Sequence, residues 1–412
     1  MALLYSNAGK LAPTETQLDT IANVAALKGN VVNMVGGAGI SVDPNDPAQQ
    51  NLPANASDRQ VFDAFVKARG TDVHANLIDK SGVLWPADFH SWAMVTTYWN
   101  FEQAFKYYQR VYDTDMVGLD LLQGAEVLYW ADFRDYYQQD PTQQQSTDNA
   151  LYYPLTRQFI IAPYFHFQKV PVSMNLGIVG HEMAHRVFTQ KAYANAVLPP
   201  IFSLDGFVLN IAKGFDEGLA DFHGYGVTCV TTGGPNCATN FIEASFDEET
   251  MRRVFPRSPL PTTRDFSRSQ NGCMSKELRD SLVGLTTVSF TSQGFHYKLG
   301  TLVASALWHA SEPLGQTEAV QKGLIAAYDD SDPANPGFRQ VFDSAIAQPG
   351  NISLGKMADV IIGHMPEGTE LQKRVCEQLV DRLDIDRNAM PNPVPHCPST
   401  ASVGDQCPAV PP

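Results

Sequence analysis

The segment LGIVGHEMAHRVF, residues 176–188, places His181 and His185 four positions apart, with Glu182 directly after the first histidine. Asn175 is suited to cap the segment and no proline interrupts it, so the pattern predicts a helix. On a helix the two imidazoles share one face, where both can reach one metal ion at about 2.0–2.1 Å. Glu182 then faces the neighbouring side, within reach of a water molecule beside the ion. Taken alone, the pattern also fits a helix with two surface histidines.

A second segment, GFDEGLADFHGYG at residues 214–226, carries Glu217 and Asp221 on one predicted helical face. Glu217 follows His185 by 32 residues, which leaves room for a loop and the start of a second helix. A hydrolytic zinc site needs three protein ligands and one open position for water. The two histidines and Glu217 supply such a set. Asp221 is placed to accept a hydrogen bond from the outer nitrogen of a ligating imidazole, the alternative being a solvated helix face.

A third segment, SQGFHYKLGTLVASALW at residues 292–308, places His296 just before the most regular apolar helix pattern of the C-terminal half. A histidine across the metal from Glu182 can donate a hydrogen bond to a developing oxyanion. A histidine near the start of a helix is also a common structural feature. The sequence leaves both roles open.

The order of these motifs resembles the thermolysin-like and fungalysin-like gluzincin metallopeptidases: HExxH, then EGLAD, then a histidine before an apolar helix. Upstream, DNALYY at residues 148–153 is similar to the asparagine–alanine edge strand of that family. The resemblance covers roughly residues 90–365, and the three catalytic motifs together are specific.

The resemblance implies an α+β fold of the thermolysin-like two-lobe type. A mixed β-rich N-terminal lobe would join a mainly α-helical C-terminal lobe, with the active-site helix at the junction. It also implies a zinc-dependent endopeptidase that activates water to hydrolyse peptide bonds. The implied roles are zinc ligands at His181, His185 and Glu217, general base at Glu182, orientation of His181 by Asp221, oxyanion stabilisation by His296, and substrate-backbone binding by Asn149 and Ala150.

Several positions depart from the family pattern. Asp216 stands where the family has asparagine before the ligand glutamate, and Ala220 replaces a serine or threonine. Gly177 and Thr228 occupy positions where the thermolysin branch has acidic residues at its calcium site. The binding of calcium is therefore left open, whereas the prediction of zinc is unaffected. Thr291 stands where that branch has the aspartate that orients the third histidine.

Further candidates concern the substrate. Tyr193 is the candidate for the family's tyrosine beside the zinc, and either Arg264 or Arg268 for the arginine that binds a substrate carbonyl. Ile178 is expected to line a pocket for an apolar side chain. No motif for capturing a free amino terminus is visible, which favours an endopeptidase over an aminopeptidase.

The chain divides into a β-rich N-terminal half and a helical C-terminal half. VVNMVGGAGISVD at residues 31–43 predicts two short strands around a glycine turn. Apolar residues at alternating steps of four and three predict a buried helix over 92–112. Further strands are expected within 124–137 and 151–167, and shorter helices over 315–328, 337–347 and 354–364. The predicted divisions are an N-terminal β- and loop-rich region at 1–85, the rest of the N-terminal lobe with the HExxH helix at 86–190, a helical C-terminal lobe at 191–365, and a final helix with a proline- and cysteine-rich tail at 366–412.

Composition limits the partners. The 412 residues carry a formal charge of −15, which disfavours binding to phosphate backbones of nucleic acids. No apolar run is long enough to predict a membrane span. The resemblance to gluzincins implies protein or peptide substrates, and we expect a monomer. The first fifteen residues lack the features of a signal peptide, so an exported protein is expected here in a processed form without its leader.

Six cysteines and the absence of CxxC pairs favour disulfides and a secreted protein over a cysteine-rich zinc module. Six reduced thiols in a cytosolic protein are the alternative. Six cysteines allow 15 pairings. The expected pairing is Cys229–Cys237, Cys273–Cys376 and Cys397–Cys407, chosen because the first and last pairs are close in sequence.

Two other functions fit the same residues. One is a secreted binding or adhesion module whose zinc site is structural or inactive, which a fourth protein ligand such as His223 would indicate. His223 lies two residues after Asp221 and is expected to point away from the metal. The other is a zinc hydrolase of a non-peptide substrate.

Overall fold

Strands occupy the N-terminal part of the chain and helices the C-terminal part in the computed structural model of the protein. This confirms the predicted mixed class with a sheet-rich first part and a helical second part. The structure describes residues 1–5, 11–53, 55–112, 124–136, 144–164, 169–194, 206–232, 237–246, 264–268, 272–284, 295–386, 394–402, 404 and 407.

The described strands all lie before residue 162. They are β1 (Ala2–Tyr5), β2 (Leu11–Thr14), β3 (Ile21–Asn23), β4 (Lys28–Gly29), β5 (Val32–Val42), β6 (Val66–Asp72), β7 (Leu77–Lys80), β8 (Val83–Pro86), β9 (Ala125–Tyr129), β10 (Asp132–Asp135), β11 (Ala150–Tyr153) and β12 (Gln158–Ile161).

The described helices are α1 (Pro47–Gln50), α2 (Asp58–Phe65), α3 (Phe89–Val111), α4 (Leu176–Lys191), α5 (Gly206–Thr232), α6 (Phe241–Ser245), α7 (Lys276–Gly284), α8 (Phe295–Ser311), α9 (Thr317–Asp329), α10 (Phe338–Ala347), α11 (Leu354–Gly363) and α12 (Glu370–Arg382). The predicted long helix is α3, and α9, α10 and α11 confirm the three predicted shorter helices. The aromatic stripe of α3 is buried, as expected for core residues.

The main sheet runs in the order β11–β12–β9–β5–β4–β3, and β6 and β10 pair with the remaining length of β5. β9 is parallel to both β5 and β12, whereas β11 is antiparallel to β12 and lies at the edge of the described sheet. One face packs against α3 and the large core, and the other packs against α2 through a smaller apolar cluster. The edge position of β11 agrees with the edge strand that the resemblance implied.

The prediction of two short strands around Gly36 to Gly39 was wrong. The segment is one strand of 11 residues, β5. Gly36 pairs with Thr71 and Gly39 with Ala68 of β6, so the glycines remain within the ladder. Pairing on both sides satisfies their backbone groups, and no turn is needed. The predicted strand regions at 124–137 and 151–167 each contain two strands, and residues 137 and 165–167 lie outside the described residues.

One continuous buried apolar cluster extends from β1 through the helices to the C-terminal tail. Residues of the sheet, of α3, α4, α5 and of α8 all contribute to it. The four-part division of the chain stays a prediction. No described helix has the length and apolar character that crossing a membrane requires.

All six cysteines are paired, and the pairing corrects two of the three expected bridges. Cys229–Cys237 is confirmed, but the other bridges are Cys273–Cys407 and Cys376–Cys397 rather than Cys273–Cys376 and Cys397–Cys407. The tail packs back on α12, where Ser402 N donates to Glu377 Oε1 at 2.7 Å. That packing brings distant cysteines together, which sequence proximity does not show.

The helices α5 and α8 touch through two glycines beside a predicted metal ligand. A Cβ on Gly218 would lie 2.5 Å from the carbonyl oxygen of Gly300. A Cβ on Gly300 would lie 2.9 Å from the Cβ of Glu217. The two backbones therefore approach as closely as only glycine permits, and this contact fixes the position of Glu217.

We expect Gly300→Ala to lower the free energy of unfolding by about 1–3 kcal/mol, because the added methyl group must displace the backbone of α5. Urea unfolding followed by circular dichroism measures the change. Gly39→Ala is the control, since its Cβ would make only ordinary contacts, the nearest at 3.6 Å. Equal stability of the two variants would contradict the close helix contact.

Candidate metal centre

The helix α4 is fixed at its start by Asn175. The Asn175 side chain accepts hydrogen bonds from the backbone N–H groups of Gly177 and Ile178, which confirms the predicted N-cap. The amide nitrogen of the same side chain donates to the Phe241 carbonyl at 2.7 Å and to Ser245 Oγ at 2.9 Å. One residue therefore starts the helix and ties it to α6.

Three side chains converge between α4 and α5. The Nε2 atoms of His181 and His185 lie 3.0 Å apart. His181 Nε2 lies 3.4 Å from Glu217 Oε2, and His185 Nε2 lies 3.7 Å from Glu217 Oε1. Ligands at about 2.0–2.2 Å from a tetrahedral ion are separated by about 3.3–3.6 Å. The group can hold a metal ion.

The outer nitrogens of both imidazoles face carboxylates. His181 Nδ1 lies 2.9 Å from Asp221 Oδ1, and His185 Nδ1 lies 2.8 Å from Asp216 Oδ1. These partners favour a proton on each Nδ1 and leave a lone pair on each Nε2. Two lone pairs at 3.0 Å repel one another unless a cation lies between them. Glu217 Oε2 is also buried and has no hydrogen-bond partner in the described part of the chain. The donor set therefore fits a divalent metal.

The two carboxylates behind the imidazoles, Asp216 and Asp221, are each also paired with a positively charged side chain. Lys213 Nζ lies 2.7 Å from Asp216 Oδ2, and Arg264 Nη2 lies 2.8 Å from Asp221 Oδ1. Burial raises the pKa of Asp216, but the charges of Lys213 and His185 outweigh it, and the net pKa is lowered. For Asp221, burial is likewise outweighed by Arg264. Both carboxylates therefore stay ionised in a buried site.

Glu182 lies beside the three converging atoms and is also buried. Its Oε2 accepts a hydrogen bond from the backbone N–H of Tyr152 in the edge strand β11, at 2.7 Å. Burial raises the pKa of Glu182, and the nearby His181 and His185 oppose that rise. A carboxylate with a raised pKa is suited to exchange protons near neutral pH.

These residues face a cleft of about 220 Å³. Of the residues proposed from the sequence, its lining includes Asn149, Ala150, Ile178, His181, Glu182, His185, Tyr193, Glu217 and Arg264. Arg268 is not among the lining residues and instead contacts Asp265 and Glu243. The structure thus favours Arg264 over Arg268 as the arginine of the cleft.

His296 lies near the cleft, but the next residue, Tyr297, lines it. Burial lowers the pKa of His296 to about 4, although the charge of Glu217 opposes this. His296 is therefore neutral at pH 7 and can still donate one hydrogen bond. The guanidinium of Arg264 lies over the Tyr297 ring at 4.6 Å. Thr291, the departure noted before His296, lies outside the described residues.

His223 points away from the metal ligands, as expected. Its Nδ1 lies 2.6 Å from the hydroxyl of Tyr107 on α3, and its ring also packs near Tyr108 and Tyr328. Burial among these rings lowers the pKa of His223 to about 3. Among the described residues, no other histidine, cysteine or carboxylate joins the group of three.

The sequence reasoning missed Lys213, Asp216 as a partner of His185, and Tyr297. The signal for Asp216 was present, because it directly precedes Glu217 and follows Lys213 by three residues on a predicted helix. The replacement of an asparagine by Asp216 does not by itself reveal the contact with His185. Tyr297 gave no signal, since the orientation of the first turn of α8 depends on packing.

No protein-family model matches the chain, and no curated protein matches it.

Proposed function

We propose that the protein is a secreted zinc-dependent endopeptidase with a thermolysin-like two-lobe fold. The observation that carries the proposal is the convergence of two imidazole nitrogens and one carboxylate, with Glu182 beside them in an open cleft. Two nitrogens and a carboxylate with separations of 3.0–3.7 Å suit zinc, which uses three protein ligands in hydrolytic sites.

A bound zinc ion supplies Lewis acidity, which acidifies water and polarises a carbonyl group. Glu182 accepts the proton of the attacking water and returns it to the departing amine. The hydrogen bond from Tyr152 holds the carboxylate in place for both transfers. His296 donates a hydrogen bond to the oxygen that becomes negative.

The edge strand β11 supports a peptide as the substrate. Because the Tyr152 N–H points to Glu182, the backbone of Ala150, two residues earlier, faces the same side, away from β12. An extended peptide can pair with such an edge as an added strand. Asn149 and Ala150 line the cleft at the start of this strand, and the Ala150 N–H donates to Asn149 Oδ1 at 3.0 Å. The Ala150 carbonyl and the Asn149 amide nitrogen would bind the substrate backbone.

A purely structural zinc site is disfavoured. Structural zinc sites are closed by four protein ligands, whereas His223, the candidate for the fourth, is bound to Tyr107 on the other side of α5. Secretion is supported by the three disulfides, which persist in oxidising compartments.

The first prediction from the proposed function concerns the metal. The purified protein should bind about one zinc ion per chain, and His185→Ala should lose it, because two ligands hold zinc weakly. Metal analysis after gel filtration measures the content. His74→Ala, at an exposed histidine, is the control and should keep the ion. A parent protein that takes up no zinc, or a His185→Ala protein that retains it, would refute the ligand assignment.

The second prediction separates catalysis from metal binding. Glu182→Gln should keep zinc but lower kcat for casein or peptide cleavage by about 10²–10⁴-fold, because the amide cannot accept the proton. Glu277→Gln, at a side chain that is 78% exposed, is the matched control and should cleave at the parent rate. If Glu182→Gln cleaves normally, the assignment of the general base is wrong. If the parent hydrolyses only non-peptide esters or amides, the substrate class is wrong while the zinc site stands.

The third prediction tests the oxyanion donor. His296→Phe should lower kcat by about 10²–10³-fold with little change in KM or zinc content, because its hydrogen bond forms only as charge develops. Tyr297→Phe, which removes the hydroxyl group of the neighbouring residue, is measured in parallel. A loss of kcat in Tyr297→Phe alone would move the role to Tyr297.

A further inference from the structure

We propose that Lys213 and Asp216 act together as a charge-compensated positioning pair for His185, so that zinc affinity depends on the neutrality of the pair. Neither residue touches the metal position. The inference rests on the zinc site of the proposed function but not on peptidase activity.

The geometry joins the three residues in one chain of contacts. Lys213 Nζ lies 2.7 Å from Asp216 Oδ2, and Asp216 Oδ1 lies 2.8 Å from His185 Nδ1. Each carboxylate oxygen therefore serves a different partner. The Asp216 side chain is 3% exposed and that of Lys213 is 22% exposed, so water can replace neither partner fully. Lys213 also lines the cleft, on the same helix as the ligand Glu217.

Two of the carboxylates around the metal position are paired with cations. Asp216 contacts Lys213, and Asp221 contacts Arg264, with all four side chains largely buried. Removing one charge of such a pair leaves the other uncompensated at low dielectric, which costs more than replacing both partners by neutral side chains.

Asp216→Asn tests this dependence directly. The Asn carbonyl oxygen can still accept the hydrogen bond of His185 Nδ1, so the ring keeps its orientation. The Asn amide nitrogen would then face Lys213, and the ammonium group would stand uncompensated near a dication. Zinc binding should weaken. Adding Lys213→Met removes that cation and the donor–donor contact together, and binding should recover.

The equivalent pair on the other histidine does not offer the same test. Asp221 uses one oxygen, Oδ1, for both His181 Nδ1 and Arg264 Nη2. An asparagine at position 221 could present its carbonyl oxygen to both His181 and Arg264. The substitution would then remove the negative charge without placing an amide N–H against the cation. The Lys213–Asp216 pair is therefore the one in which charge and geometry can be separated.

The experiment measures zinc affinity by chelator competition for the parent, Asp216→Asn, and Asp216→Asn combined with Lys213→Met. We expect Asp216→Asn to bind zinc about 10–100-fold more weakly and the double variant to lie closer to the parent than to the single variant. Lys191→Met is the control, because Lys191 forms a similar ion pair with Asp329, at 2.9 Å, away from the metal. It should bind zinc like the parent.

Three results overturn the inference. The first is that Asp216→Asn binds zinc as tightly as the parent. The second is that the double variant does not recover zinc binding although thermal unfolding shows that it is folded. The third is that Lys191→Met weakens zinc binding as much as Asp216→Asn does. A double variant that does not fold is replaced by Asp216→Asn with Lys213→Gln, which keeps a polar neutral side chain, and the same recovery is required. If the parent itself binds no zinc, the proposed function falls together with this inference, whereas a failed recovery with a zinc-binding parent overturns this inference alone.

Discussion

The repulsion between two imidazole nitrogens is the constraint on which the centre depends. His181 and His185 bring their Nε2 atoms to 3.0 Å, and each ring is held from behind by a carboxylate that favours the proton on Nδ1. With each proton on Nδ1, this arrangement is unfavourable without a cation, because the two Nε2 lone pairs face each other and Glu217 Oε2 has no hydrogen-bond partner among the described residues. The protein thus uses folding energy to hold donor atoms at a spacing that a divalent ion relieves, and metal binding and local stability should be coupled.

A single helix, α5, supplies most of the charged side chains around the candidate metal position. Lys213, Asp216, Glu217 and Asp221 lie within nine residues, so their relative positions follow from helix geometry alone. What helix geometry does not fix is the position of α5 relative to α4 and α8. The glycine contact between Gly218 and Gly300 sets the approach to α8, and Gly180 lets Val227 pack against α4. The glycines at the helix crossings therefore set how far His181 and His185 on α4 lie from Glu217 on α5.

The parts predicted from sequence are those that local rules determine. The N-cap at Asn175, the helix of the two histidines and the apolar helices follow from periodicity, and the spacing of His181, His185 and Glu217 indicated the cluster that the structure brings together. The parts that failed depend on long-range packing. β5 is continuous because β6 and β9 pair beside it, and Cys376 meets Cys397 because the tail folds over α12. The local sequence pattern shows neither the strands that pair with β5 nor the cysteine that meets Cys376. The position of Tyr297 in the cleft likewise depends on how α8 packs.

The hydrogen bond between Tyr152 and Glu182 connects the two parts of the fold at the point where chemistry is proposed. Glu182 belongs to a helix, but the group that orients its carboxylate belongs to the edge of the sheet. The strand that would bind a substrate backbone therefore also holds the proposed base, and a displacement of β11 would affect substrate position and proton transfer together. Because the N–H of Tyr152 donates to Glu182 and the N–H of Ala150 donates to Asn149 Oδ1 at 3.0 Å, an added peptide would depend on the outward carbonyl of Ala150 and on the amide nitrogen of Asn149.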